Sequence, residues 1–526
     1  MNRPVVLFIL AASVGSPSVI RAEGPPTASA VEERLRALEA MNHRLLLQYE
    51  EIQRRESEGR RIAEERYQDL ERRYLELQGR IERPEAAPES TGPTPHTPTT
   101  GWGEGPVEST EERPEPRALL HTYFDDGFVI GSPDDELTLG FRVLDQTDFK
   151  VFMPNDMLPA RSGLYIPRVR VYFEGRLTKP FEYEVSLQRS VEGVWDLLDA
   201  NLDMGSSDAF KIQFGRMLVP YSYDWYDHLE QYFITPERGL FPLNFGLSRA
   251  AGLLAHGYLF EDRLQYAIGG FDGRLSGLAD NNTARDAVAY LNTRPFLTSE
   301  RFPALRYLNL GGSIFGGSQA LPETPLPLRT SLQSSENDEA ARAASATFLE
   351  FEPDVAALGT RSALALHLAW YYRRLSMEAE WQSGRLQYGW PHEPPARFTV
   401  PVTGYHATLG YFLTGEQVEG RGTVKPLRPF DLRRGRFGLG AIELFARYSQ
   451  LDLGDVVFEA ELANAAESTR HVDMVDVGFN WYPNQFVKFY VDWQLPYFGS
   501  PVLVNPVTDV YSRSAALFWL RCQIYF

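Results

Sequence analysis

Arg168, Arg170 and Arg176 fall at even intervals within one short run of the chain, and a β-strand turns every second side chain to the same face. Glu174 shares that face, while Val169, Val171 and Phe173 take the other. The next run opposes Glu182 and Glu184 to Phe181, Tyr183, Val185 and Leu187, so the two runs predict a hairpin. Guanidinium and carboxylate groups in this spacing bring no nucleophile with them. If that face lines a water-filled space, they would set an electrostatic well or barrier for an ion there. Two arrangements fit: an arginine ladder, or lateral ion pairs in which Glu174, Glu182 and Glu184 neutralise it.

A second charged set lies between Tyr221 and Arg249, a segment rich in aromatics and poor in alternation, with Asp224, Asp227, Glu230, Arg238 and Arg249. Long connections without regular structure are usually functional or disordered, and the aromatics argue against disorder. The segment is expected to enter an interior space and narrow it; the alternative is an external cap or subunit contact. Other chemistry is thinly represented. Gly246-Leu-Ser-Arg-Ala has the spacing of a nucleophile elbow without its strand-turn-helix context. Asp134-Asp-Glu136 and Asp452-Leu-Gly-Asp455 lack the ligand periodicity of a calcium loop. The nine histidines show no metal spacing. An enzyme is not expected, nor a metal or cofactor, and a net charge of -18 disfavours nucleic acid as a partner.

The elements that position these residues are predicted to be strands from about Leu119 onward. Leu364, Leu366, Leu368 and Trp370 oppose Ala365, His367 and Ala369; Val487, Phe489, Val491 and Trp493 oppose Lys488, Tyr490 and Asp492. Such alternation also suits a soluble sandwich with one wet face. The last residues separate the two folds: Phe518, Leu520, Cys522, Ile524 and Phe526 share a face. That apolar edge would promote aggregation in a sandwich but is sealed in a closed barrel. The expected fold is mainly β, a transmembrane antiparallel barrel of about 16 strands, or 18, from strands of roughly ten residues with their turns.

Several segments resemble the phosphate-selective porin O and P family. They are Tyr123-Phe-Asp-Asp-Gly-Phe-Val-Ile with Leu137-Thr-Leu-Gly-Phe-Arg, Ile166-Pro-Arg-Val-Arg-Val-Tyr-Phe-Glu-Gly, and Phe214-Gly-Arg-Met-Leu-Val-Pro-Tyr. Gly404-Tyr-His-Ala-Thr-Leu-Gly-Tyr-Phe-Leu-Thr-Gly-Glu is the most specific, and Ala441 to Leu453 and Gly478-Phe-Asn-Trp-Tyr-Pro-Asn follow in order. Pro167 and Leu218 depart from the family, standing where it commonly carries arginine and lysine. The resemblance implies a homotrimeric porin in the lipid bilayer of the bacterial outer membrane, with loops folded inward. It implies passive diffusion of small hydrophilic solutes or ions, phosphate and other anions among them. The pore-lining candidates are Arg168, Arg170, Arg176, Glu174, Glu182, Glu184, Arg238 and Arg249.

Three segments precede the barrel, which is placed at 118–526. Residues 1–22 read as a secretory signal, with Arg3 before an apolar run and small residues up to Ala22. Residues 30–83 read as a periplasmic coiled-coil helix: Leu35, Asn42 and Tyr49 alternate with Leu38, Leu45 and Ile52, and a second register joins Tyr67, Leu70, Tyr74, Leu77 and Ile81. Residues 84–117 carry eight prolines and read as an extended spacer. An alternative role follows from this stalk, a structural anchor that tethers the envelope by touching the cell wall.

Overall fold

The computed structural model describes residues 120–526, apart from 154–158, 190, 192, 194, 273–284, 333–338 and 392–395. The expected signal, coiled coil and proline-rich spacer lie outside the described residues.

Sixteen antiparallel strands form a closed ring. In chain order they are β1 (Thr138–Met153), β2 (Gly163–Thr178), β3 (Phe181–Arg189), β4 (Trp195–Ser207), β5 (Phe210–Leu218), β6 (Arg249–Leu259), β7 (Leu264–Phe271) and β8 (Asp286–Thr293). Then come β9 (Tyr307–Glu323), β10 (Ala356–Tyr372), β11 (Leu375–Trp390), β12 (Ala396–Phe412), β13 (Ala441–Leu453), β14 (His471–Tyr482), β15 (Val487–Asn505) and β16 (Ala516–Tyr525). Each pairs with its chain neighbour, and β16 returns to β1 with Ala516 opposite Met153 and Tyr525 opposite Leu144. Val143 and Phe526 exchange backbone bonds of 2.8 and 3.2 Å at the end of this seam. No strand of the ring is left with an unpaired edge, which removes the aggregation hazard of the apolar terminal strand.

Alternation has the sense of a membrane barrel. Leu366 is 51% exposed and its neighbour His367 only 6%. Ile314, Leu364 and Trp493 likewise face outward, while Glu380, Asp476, Lys488 and Arg521 are buried inside. A charge on the outer face would cost about 2–4 kcal/mol at mid-bilayer, so the polar member of each pair is driven inward. Among the described residues no helix is long and apolar enough to cross a membrane.

The two ends of the ring differ. The turns 179–180, 208–209, 260–263, 373–374 and 483–486 are short and share an end with Phe526, whereas 219–248, 324–355 and 454–470 are longer and lie at the other. In outer-membrane barrels the short turns face the periplasm. Connections 294–306 and 413–440 are the long exceptions at the short-turn end. Aromatic side chains mark that end too, with Trp481 stacked on Phe489 at 5.3 Å and Trp370 on Tyr372 at 6.0 Å.

Candidate functional site: a loop stapled across the bore

The connection between β5 and β6, residues 219–248, folds into the interior. Local sequence dictates its irregular path. Ser222 caps the short helix Tyr223–Tyr226, its Oγ accepting from the Trp225 amide at 3.2 Å. A single 3-10 turn follows at Glu230–Tyr232, and Pro236 and Gly239 interrupt the chain before a second α-helix, Leu240–Phe245. Gly246 is required by close approach: a Cβ there would lie 1.5 Å from Nε1 of Trp225, which donates to the Pro242 carbonyl at 2.8 Å.

One side of the loop is tied to strands β7, β8, β9 and β11. The amides of Ser222 and Tyr223 donate to Ser313 Oγ and Glu380 Oε1, each at 2.9 Å. The Asp227 carboxylate accepts from Gln265 at 3.1 Å and from the Tyr290 hydroxyl.

The other side runs along β13 to β16, and there the main chain itself is held. Carbonyls 231, 232, 233, 234, 236 and 237 each accept from a side chain, in turn Gln523, Arg421, Lys488, Asn480, Arg521 and Arg447. Four of these six donors are cationic, so they bind more strongly than neutral donors would. Three of these cations stand on the wall and Arg421 on the 413–440 connection, and together they secure a loop backbone.

The loop's carboxylates complete the attachment. Arg168 donates to both oxygens of Glu237 at 2.6 and 2.7 Å, and Arg170 to both of Glu230 at 2.7 and 3.0 Å. Arg521 forks onto Asp148 at 2.6 and 2.9 Å and reaches Glu237 at 3.0 Å. Arg238 and Arg249 approach Glu230 at 3.5 and 3.8 Å, and Arg249 also meets Asp199 at 3.3 Å. Burial alone would raise the carboxyl of Glu237, but Arg168 and Arg521 overcome it and bring it down to about 2. Glu230 is held well below the usual carboxylate range in the same way: burial opposes, and Arg170, Arg249 and Arg238 prevail.

The pH consequence has a definite sign. A carboxylate lowered on folding stabilises the structure fully above its ordinary range, and that contribution is lost progressively as pH falls from there through the folded value, while the group itself stays ionised in the folded protein until the folded value is reached. The staple should therefore persist from neutrality down to about pH 4, above the folded value near 2 of Glu237. Single-channel conductance is expected to hold constant across that range. A stepwise rise near pH 5 would contradict the assignment.

The pore-lining candidates fall into two groups. Arg168, Arg170, Arg238 and Arg249 converge on Glu230 and Glu237. Arg176, Glu174, Glu182 and Glu184 lie nearer the short-turn end of the wall, away from the loop's carboxylates: Glu174 meets Arg142 at 2.8 Å, and Glu182 meets Lys211 at 3.0 Å and Arg176 at 3.7 Å. Glu184 stands opposite Glu174 in the ladder. Neutralisation of Arg168 and Arg170 comes from the loop and not from the neighbouring strand. Sequence reasoning missed Glu237, Arg421, Arg447, Lys488 and Arg521 as members of the site. For the strand residues, inward parity at a charged position was the available signal.

Cavities flank the loop. One of about 340 Å³ lies toward the long connections, with Arg168, Glu230, Glu237, Arg238, Asn244 and Arg361 in its lining. Another of about 30 Å³ lies toward the short turns, beside Gln231, Tyr232, Lys488 and Tyr525. The loop occupies the bore between them.

Among solved structures, the chain is similar to the trimer form of OmpT, an outer membrane protein of Vibrio cholerae, at 11% identity, covering 74% of this chain and 99% of that one, with a TM-score of 0.43. It is similar at 12% identity to an anion-selective porin from Comamonas acidovorans, again over 74% and 99% with a TM-score of 0.43. Among curated proteins no match is found. The family model for phosphate-selective porin O and P matches residues 138–494, from the first residue of β1 into β15. The chain belongs to the phosphate-selective porin O and P family.

Proposed function

We propose that this outer-membrane channel passes small hydrophilic solutes and ions by diffusion, through a bore that the 219–248 loop narrows, with little preference for either sign of charge. One observation carries the reading: at the narrowing, Arg168 and Arg170 are each matched by a loop carboxylate, Glu237 and Glu230. Selectivity needs an uncompensated ring or ladder of charge, and matched forks leave local dipoles instead. Phosphate and other anions are among the permeants, but the paired arginines are not a free anion ladder. Family membership supports a homotrimer, and the pore-lining roles of Arg168, Arg170, Arg238 and Arg249 belong to the same proposal.

The test is conductance in planar bilayers under a salt gradient. Unit steps with an ohmic relation and a reversal potential near zero are expected; absence of steps would refute the channel reading. Replacing Arg168 and Arg170 together by glutamine should uncover Glu230 and Glu237 and move the reversal potential toward the cation side. An unmoved potential would mean that permeating ions do not pass these pairs.

A further inference from the structure

The connection between β12 and β13 carries a feature that ion passage does not use. Its distal part turns outward and is clamped against the barrel rim. Phe430 packs edge-on against Trp481, with ring centroids 5.3 Å apart and planes at 88°. Trp481 Nε1 donates to the Leu439 carbonyl at 2.7 Å, and the Phe430 amide donates to the Pro483 carbonyl at 2.7 Å. Asp431 and Gly438 pair across the excursion with bonds of 3.1 and 3.0 Å, so it is a built element. Trp481 lies outward on β14 and stacks on Phe489, which places the excursion at the aromatic belt of the short-turn end.

Two properties of this element set it apart from the bore. Leu427, Leu432, Phe437 and Leu439 are exposed, Leu432 by 71%. Residues 425–440 carry five basic groups and one acid, Asp431, a net +4 in a chain of -18. Asp431 holds only Arg433, at 2.5 Å. Lys425, Arg428, Arg434 and Arg436 are exposed, and among the described residues none pairs with a carboxylate. Inside the barrel, by contrast, the arginines around the loop are matched by acids.

We propose that residues 425–440 form a docking surface for anionic phospholipid headgroups, with the arginines on the phosphates and the leucines and phenylalanine in the acyl boundary. Unmatched basic groups beside exposed apolar side chains, held at an aromatic belt, are what binding to an anionic membrane interface requires. The proposal rests on the barrel lying in a membrane and not on what passes through it, so the lipid test and the conductance test fail independently.

The experiment is native mass spectrometry of the full chain purified in detergent and mixed with either phosphatidylglycerol or phosphatidylcholine. The wild type should retain phosphatidylglycerol preferentially, by about tenfold or more. Changing Arg428→Gln, Arg434→Gln and Arg436→Gln together should abolish the preference. The same three positions changed to lysine should keep most of it, and the shift of electrophoretic mobility on heating verifies that each barrel is folded. Equal retention of the two lipids by the wild type, or an undiminished preference in the glutamine variant, would overturn the proposal. A glutamine variant that loses oligomer mass while the wild type shows no lipid preference would make this face a contact between copies, and would overturn it equally.

Discussion

Replacing Tyr223–Phe245 by a short glycine-serine linker is expected to raise single-channel conductance severalfold and to make the channel anion-selective. The wall should survive the excision. Val219 and Ser248 close the base of the loop with a 3.0 Å backbone bond, directly above the pairing of Leu218 with Arg249. Loop-closure entropy changes only slowly with length, so the register of β5 and β6 does not depend on the residues removed. The electrostatic change is large. Four acids leave, Asp224, Asp227, Glu230 and Glu237, against one arginine, Arg238, so the bore gains three positive charges. Arg168 and Arg170 lose the carboxylates they fork onto, and Lys488 loses the carbonyl it now caps. Arg447 and Arg521 keep Asp476 and Asp148 on the wall, which should hold the strands together. The measurement is conductance and reversal potential in a salt gradient, beside the wild type. Unchanged conductance would show that something other than this loop limits passage.

How much of this was legible from sequence depends on the kind of interaction. The barrel was readable because lipid outside and polar groups inside impose a period of two on every strand. The terminal strand that pairs β1 was readable for the same reason. Arg168 and Arg170 could be assigned to the inner face by parity alone, but their partners could not. Glu237 lies 69 residues from Arg168 and Glu230 lies 60 from Arg170, in a segment without periodicity. Register favoured the neighbouring strand, where Arg176 stands opposite Glu182 and Glu174 opposite Glu184. That lateral network exists only at Arg176, since Glu174 turns to Arg142 and Glu182 also takes Lys211. The staple along 231–237 was hidden more deeply. Its acceptors are main-chain carbonyls, which every residue carries, so no side-chain pattern marks where Lys488, Asn480 or Arg447 will attach. The coiled coil and spacer remain a proposal on heptad spacing and proline content.

Glu237→Gln should separate the staple's electrostatics from its shape. Glutamine matches glutamate in size, so packing is retained, but its amide nitrogen would face guanidinium donors of Arg168 or Arg521. Removing one partner of a buried, hydrogen-bonded ion pair costs about 3–5 kcal/mol, because the remaining charge is left uncompensated in a poorly solvated place. Arg521 keeps Asp148, and Arg168 keeps only the Gln146 side chain at 2.9 Å. Relief comes by releasing this end of the loop, which lets water reach Arg168. The expected result is higher conductance, a reversal potential moved toward the anion side, and a lower unfolding temperature in detergent. Glu182→Gln is the matched control: its side chain is 41% exposed, and exposed pairs contribute about 0–1 kcal/mol. It should change none of the three readings. Adding Arg168→Gln to Glu237→Gln should return the reversal potential toward zero and recover part of the lost stability, because the two groups act on each other. If the single variants at 237 and 182 behaved alike, Glu237 would contribute nothing to the staple and the loop would be held by its backbone carbonyls alone.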